Sequence, residues 1–122
     1  MATNVMSSLK NVLSDLTQKG GVIAALVVSR DGFVIDGVKS DEVDLDALGA
    51  LASSALLAWE PVGNELNIGA MEGVLVEFDS GPIASTFVNA DAILVLMGTR
   101  LCNLGRIRIE MARAKEAVAA CL

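Results

Sequence analysis

Two short, continuous apolar runs are the clearest pattern in the chain. They read VIAALVV at residues 22–28 and AILVLM at residues 92–97. Each run is shorter than a typical helix and is bounded by turn-forming residues, which favours a strand that is buried on both faces. We therefore expect both runs at the centre of one sheet, with helices covering both of its sides.

Three further strands are predicted around these two. The Arg30-Asp31-Gly32 turn folds the chain back into a second strand, which Asp36 and Gly37 weaken in a way that suits an edge position. Turns also separate the third, fourth and fifth strands. Placing the first strand beside the fifth then gives the order 2-1-5-4-3, with strands two and three at the edges. The predicted strands cover residues 22–28, 33–38, 71–78, 83–88 and 92–97.

Three helices are predicted by apolar residues that recur at helical spacing. The first carries Val5, Leu9, Val12, Leu13 and Leu16, and the last begins after Asn103, a suitable N-cap. The middle helix runs from an N-cap at Asp44 to about Leu66. Because Pro61 cannot donate a backbone hydrogen bond, we expect this helix to kink or end near that residue.

The middle helix is apolar or small on most of its surface, and such a helix needs cover on more than one side. One apolar stripe contains Leu45, Leu48, Ala52, Ala55, Leu56, Trp59 and Val62. The second stripe is mostly small and contains Ala47, Ala50, Leu51, Ser54 and Ala58. Small residues allow close approach of another backbone, so the second stripe is the expected helix–helix contact.

Length and composition predict one domain over residues 1–122 that covers part of its apolar surface by oligomerisation. The hydrophobic fraction is 53%, and oligomerisation is the simplest way to cover such a surplus. The longest uncharged apolar stretch, residues 47–59, is shorter than the ~18–20 residues of a membrane span. The N-terminus has no pattern of a secretory signal. Cys102 and Cys121 are expected to be free thiols in a reducing cytoplasm.

Charge is unevenly distributed along the chain. The net charge is −6, and residues 31–91 hold twelve acidic residues and one basic residue, a net −11. This sign disfavours nucleic acid as a partner. The basic cluster of Arg100, Arg106, Arg108 and Arg113 is expected to complement the acidic centre and to solvate a helix face, with a partner-binding patch as the alternative.

Residues that usually carry catalysis are missing or poorly placed. The chain has no His and no Tyr, and neither a GxxxxGK[ST] nor a GxGxxG phosphate loop can be read. Glu72, Glu77 and Asp79 could be drawn together as carboxylates, but surface solvation is the better interpretation. We therefore expect no catalytic, cofactor-binding or metal-binding residue and no enzymatic activity.

The order of these parts resembles the roadblock/dynein light-chain family over nearly the whole chain, residues 5–118. Three segments carry the resemblance together with the order of elements. They are the strand–turn–strand VVSRDGFV at residues 27–34, the Ala-rich residues 47–58, and Asn103-Leu104-Gly105-Arg106-Ile107 at the start of the last helix.

The resemblance implies a profilin-like α/β domain with a mostly antiparallel five-stranded sheet, one long helix on one face and two on the other. It also implies a homodimer in which the edge strand near residues 71–78 pairs with its copy and the two long helices pack side by side. The expected dimer interface is Ala47, Ala50, Leu51, Ser54, Ala58, Met71, Val74 and Val76. Members of the family are non-enzymatic, and they regulate or scaffold small Ras-like GTPases or serve as dynein light chains. A partner surface is expected at Ser53, Glu60 and Glu65.

Two other functions stay open at the level of sequence. One is a small-molecule sensory or ligand-binding domain, for which Ser85, Thr86 and Asn89 are the candidate buried polar groups. The other is a structural subunit of a larger, motor-like assembly. Within the GTPase hypothesis, the chain would order the GTPase's own residues. Arg30 is the isolated candidate for an arginine supplied in trans, although its interpretation as a turn residue is favoured.

Overall fold

The sheet has the predicted strand order, β2-β1-β5-β4-β3, and all of its pairings are antiparallel. The computed structural model describes residues 2–18, 20–40 and 42–122, with side chains of the first helix from residue 8 onward, so Val5 lies outside the described side chains. The elements are α1 (Ala2–Thr17), β1 (Val22–Ser29), β2 (Val34–Lys39), α2 (Leu45–Glu65), β3 (Val74–Phe78), β4 (Gly81–Phe87), β5 (Ala92–Gly98) and α3 (Leu104–Ala120).

Alternate residues of the central strands build two cores, one on each side of the sheet. In β1, Ala25 and Val27 pack with α1 and α3, whereas Leu26 packs with α2. Both predicted apolar runs are therefore buried on both faces, as expected for central strands. Leu56 of α2 is 0% exposed, and truncating such a side chain to Ala typically costs about 2–5 kcal/mol.

Side-chain caps begin the two C-terminal helices, as predicted. Asp44 accepts a hydrogen bond from the backbone N–H of Ala47 at 3.0 Å, and Asn103 accepts one from that of Arg106 at 3.0 Å. Each cap satisfies a donor that has no partner within its own helix.

Of the two outcomes expected at Pro61, an end of the middle helix there is wrong, because α2 continues to Glu65. Proline inside a helix costs about 3 kcal/mol, and contacts beyond it offset that cost. Gly63 lies directly against the carbonyl of Gly69, where a side chain would not fit. The N–H of Ile68 donates to the carbonyl of Gly63 at 2.9 Å. The loop after the helix thus packs back onto its last turn.

The edge strand β2 carries a bulge at Ile35, and its Asp36 lies on the same face of the sheet as its partner Val27. Val27 pairs with Asp36 and Val28 pairs with Val34, so Ile35 is the extra residue. Asp36 therefore faces α1, is only 8% exposed, and meets the Nζ of Lys10 at 2.7 Å. The edge position is confirmed, although its acidic residue is buried and does not face solvent.

Candidate interaction surface

The outward face of α2 is exposed along its length. Leu51 is 71% exposed, and its small neighbours on the predicted second stripe are exposed as well: Ala47, Ala50, Ser54 and Ala58. Leu48, Ala52 and Leu56 face the sheet and are buried. Trp59 belongs to the same predicted stripe, but it is 58% exposed and lines a groove together with β3.

The edge strand β3 is open and apolar. It is hydrogen-bonded to β4 on one side and ends the sheet on the other. Val74 packs partly into the core beneath α2, so Val76 and Phe78, two and four residues on, lie on the same side of the sheet. They are 39% and 60% exposed. An exposed apolar edge of this kind is a template for pairing with another chain.

A groove of about 460 Å³ joins the two features. Its walls include Trp59 and Val62 of α2, the loop after the helix, and Val74 and Val76 of β3. Met71, expected at the start of the strand, lies in that loop and is partly buried in the core beneath α2. The eight residues predicted for the dimer interface therefore belong to one side of the protomer, and their contact with a second copy stays a prediction.

The three residues predicted for a partner surface are not equivalent. Glu65 is exposed at the end of α2. Ser53 is only 3% exposed, and its hydroxyl donates to the carbonyl of Ala50 at 3.0 Å. The expected outward position of Ser53 is wrong, because the turn at Gly32 lies against this part of the helix.

Glu60, the third of these residues, is held by Arg30. Nη2 of Arg30 lies 2.7 Å from Oε1 of Glu60, and Nη1 lies 3.4 Å from Oε2. Nη1 also donates to the carbonyl of Ala90 at 3.3 Å, and the guanidinium stands 5.0 Å from the ring centre of Phe87. The hydrogen bond with Glu60 raises the pKa of Arg30. The place of Arg30 on a turn suggested an isolated side chain, but Arg30 links α2 to the loop between β4 and β5.

The polar groups considered for ligand binding serve the fold instead. The hydroxyl of Thr86 donates to the carbonyl of Glu72, and the side chain of Asn89 accepts from the N–H of Asp91 at 2.8 Å. Ser85 is 3% exposed in β4. A cavity of about 620 Å³ lies beside Arg30, and its lining includes Asn64, Asn67 and Asn89. All three of these amides are exposed.

Metal and membrane sites were also sought in the described part of the chain. Residues 2–18, 20–40 and 42–122 contain no group of three or more Cys, Asp or Glu side chains arranged to hold a metal ion. Among the same residues, no helix is both long and apolar enough to cross a bilayer.

An open sheet edge beside an exposed helix face places this molecule among small α/β domains that can associate through one side. The chain belongs to the Roadblock/LC7 domain family, whose model matches residues 9–97. The family resemblance and the fold inferred from sequence are thus confirmed.

Two curated relatives come from Methanocaldococcus jannaschii and are themselves uncharacterized proteins. MJ0714 is 35% identical over 95% of this chain and 98% of its own length. MJ1340 is 35% identical over 92% of this chain and 97% of its own length.

Solved structures share the fold at lower sequence identity. The gliding protein MglB of Thermus thermophilus is 22% identical with a TM-score of 0.85, covering 94% of this chain and 88% of MglB. A Roadblock/LC7 domain of Streptomyces avermitilis is 24% identical with a TM-score of 0.81, covering 89% and 92%. MglC of Myxococcus xanthus is 24% identical with a TM-score of 0.68, covering 94% and 99%.

Proposed function

We propose that this chain is a non-enzymatic regulator or scaffold that acts as a homodimer and binds a small Ras-like GTPase. The observation that carries the proposal is the exposed face of α2 lying beside the open edge of β3. Family membership favours the GTPase, because roadblock proteins regulate or scaffold such partners. The two free thiols suit a cytoplasmic location.

Dimerisation follows from what the protomer leaves uncovered. A β3 strand that pairs antiparallel with its copy satisfies the open backbone groups of both edges and joins two sheets into one. A two-fold axis then brings the same face of α2 from each copy together. Small residues at Ala47, Ala50 and Ser54 allow the two helices to approach closely. One similar structure is described as MglB with a tetrameric arrangement, which is consistent with self-association in this fold.

The GTPase would bind the side of the dimer built by the two α2 helices. Glu65 is exposed near the end of each helix, where it can meet basic groups of a partner. Arg30 is already engaged with Glu60 and with Ala90, which favours a structural role for it. Stimulation of hydrolysis would therefore come from ordering the GTPase's own catalytic residues.

The test measures mass and binding separately. Light scattering of the full chain should give about twice the protomer mass of 12.6 kDa. Titration calorimetry with a small Ras-like GTPase from the same genome, loaded with GDP or with a non-hydrolysable GTP analogue, should show binding that depends on the nucleotide. A protomer at micromolar concentration would contradict the dimer, and no binding in either nucleotide state would contradict the GTPase partner.

Leu51→Asp and Leu101→Asp form a matched pair for this test. Leu51 is 71% exposed on the proposed interface, and Leu101 is 90% exposed in the loop before α3. Only the change at Leu51 should alter the mass and the binding. Equal effects of both substitutions would argue against this face of the molecule.

A further inference from the structure

The solvent side of α3 has an ordered pattern that the packing of the fold does not require. Its buried residues face the sheet: Ile107, Glu110, Met111, Ala114 and Val118. On the opposite side, Gly105, Ile109, Ala112 and Glu116 are exposed. Their spacing of four, three and four residues is that of the a and d positions of a heptad. Ile109, the one large apolar residue among them, is 54% exposed.

Basic residues flank this seam on both sides. With Ile109 at an a position, Arg106 and Arg113 occupy e positions, and Arg108 and Lys115 occupy g positions. All four side chains are exposed. In coiled coils the e and g residues face the partner helix and select its charge. An acidic partner helix would therefore complement the charges of this face.

The four cations are largely unused within the protomer. Arg113 meets the carboxylate of Glu110 at 3.8 Å within the same helix. Among the residues that the structure describes, no ion pair joins Arg106, Arg108 or Lys115 to an acid. The expected solvation of a helix face holds for Arg106, Arg108 and Arg113, which are exposed, while their complementing of the acidic centre at residues 31–91 stays a prediction. A chain of net charge −6 thus presents a cationic helix face.

We propose that the outer face of α3 docks an acidic amphipathic helix of a partner protein. Apolar residues of that helix would pack on Ile109 and Ala112, and its Asp or Glu side chains would lie beside the four cations. Glu116 interrupts the seam, and its charge lowers the affinity for an acidic helix unless a basic or polar residue of that helix lies opposite it.

Charge and apolar area argue for this occupant over the two other obvious ones. A second copy would bring its own four cations against the first four, and like charges repel at that spacing. A membrane surface would find a single large apolar side chain on the seam, too little apolar area for an interfacial helix. Because α3 and α2 pack on opposite faces of the sheet, this surface is independent of the proposed GTPase surface and leaves it free.

The test uses the full chain and two synthetic helical peptides of about three heptads with Leu at a and d. One peptide carries Glu at e and g, and the other carries Lys. Like charges at e and g also discourage each peptide from pairing with itself. By fluorescence anisotropy, the Glu peptide should bind at least about tenfold more tightly than the Lys peptide, and added salt should weaken its binding.

Substitutions on the exposed face then locate the contact. The quadruple variant R106E, R108E, R113E and K115E should prefer the Lys peptide while keeping the circular dichroism spectrum and the cooperative thermal unfolding of the wild type. Ile109→Ser should weaken binding of the Glu peptide several-fold, whereas Leu101→Ser, outside the seam, should not. The proposal is overturned by no binding, by equal binding of the two peptides, or by Glu-peptide binding that survives the charge reversal. Binding of phosphatidylserine vesicles without binding of the Glu peptide would also overturn it.

Discussion

Arg30 holds Glu60 through both ends of its guanidinium, across thirty positions of the sequence. Arg30 lies on the turn after β1, and Glu60 directly precedes Pro61 in α2. The ion pair thus fastens the helix to the sheet at Glu60, directly before Pro61, the residue expected to weaken the helix. The side chains are 36% and 40% exposed, so the electrostatic contribution of the pair to global stability is small. Its main effect is to hold α2 against the loops beside Arg30.

Breaking this pair should loosen the end of α2. In Glu60→Gln, the amides of Leu66 and Ile68, which donate to Val62 and Gly63, should exchange hydrogen faster, while the global unfolding temperature falls only modestly. The effect should be local because Pro61 has already removed one backbone hydrogen bond from this part of the helix, which leaves it more dependent on the ion pair. Native-state hydrogen exchange measures the effect.

Glu65→Gln is the control for that experiment, because it removes an exposed charge from the same helix without touching Arg30. It should leave the two amides unchanged. If both variants exchange alike, the ion pair does not fasten the helix.

Ala50→Arg should separate the proposed dimer without unfolding the protomer. Ala50 is exposed on α2, so the new side chain fits in the protomer but would place two like charges and unpaired donors in a helix contact. Light scattering should report the 12.6 kDa protomer, with an unchanged circular dichroism spectrum. Asn11→Arg, on the exposed side of α1, should remain dimeric. A dimeric Ala50→Arg variant would show that this face is not the interface.

Lys10 and Asp36 form the most buried ion pair among the described residues. The effects of substituting each residue on the free energy of unfolding should therefore not be additive. The second carboxylate oxygen of Asp36 is buried without a hydrogen-bond partner. Lys10→Met alone leaves the charge uncompensated and should destabilise the protein by about 1–3 kcal/mol, less than for a fully buried pair because Lys10 is half-exposed.

The double variant Lys10→Met with Asp36→Val should recover most of that loss, since a β-branched apolar residue suits a strand that faces a core. Urea denaturation of the wild type, both single variants and the double variant measures the coupling. Additive effects would mean that the pair contributes nothing as a pair.

The strand order could be predicted because two apolar runs had to be central and hairpins limited the rest. Residues 22–28 and 92–97 carry no charge, which leaves little choice of position. The caps at Asp44 and Asn103 were equally readable, because a cap acts on an N–H three residues away. The apolar runs, the hairpin turns and the caps are all formed by residues that are close in sequence.

The errors came from contacts between distant residues. Local chemistry left an end of α2 near Pro61 open, because neither the Arg30–Glu60 pair nor the packing of Gly63 on Gly69 can be read from adjacent residues. Ser53 was predicted on the outer surface of α2, but the turn at Gly32 packs against that part of the helix and buries it. Within the interaction surface, the small stripe of α2 could be predicted from the sequence. The exposure of Trp59 could not, because it depends on how α2 packs against the sheet.

The two cysteines should differ in reactivity. Cys102 is 8% exposed, and burial raises the pKa of its thiol, an effect that the nearby charge of Arg106 partly opposes. A raised pKa leaves less thiolate at a given pH, and the thiolate is the reactive form. In single-cysteine variants, native Cys102 should therefore react with a thiol reagent several-fold more slowly than the partly exposed Cys121. Its rate should also begin to rise at a higher pH than in the same chain unfolded in urea.

Arg106→Gln separates charge from access in this measurement. It removes the opposing positive charge, so the pKa of Cys102 should rise further and its modification should slow again, while Cys121 is unaffected. Arg108→Gln, which removes an equal charge two residues further from the N-cap, should change neither rate appreciably. Faster modification of Cys102 in Arg106→Gln would show that the arginine side chain shields the thiol and does not promote its ionisation.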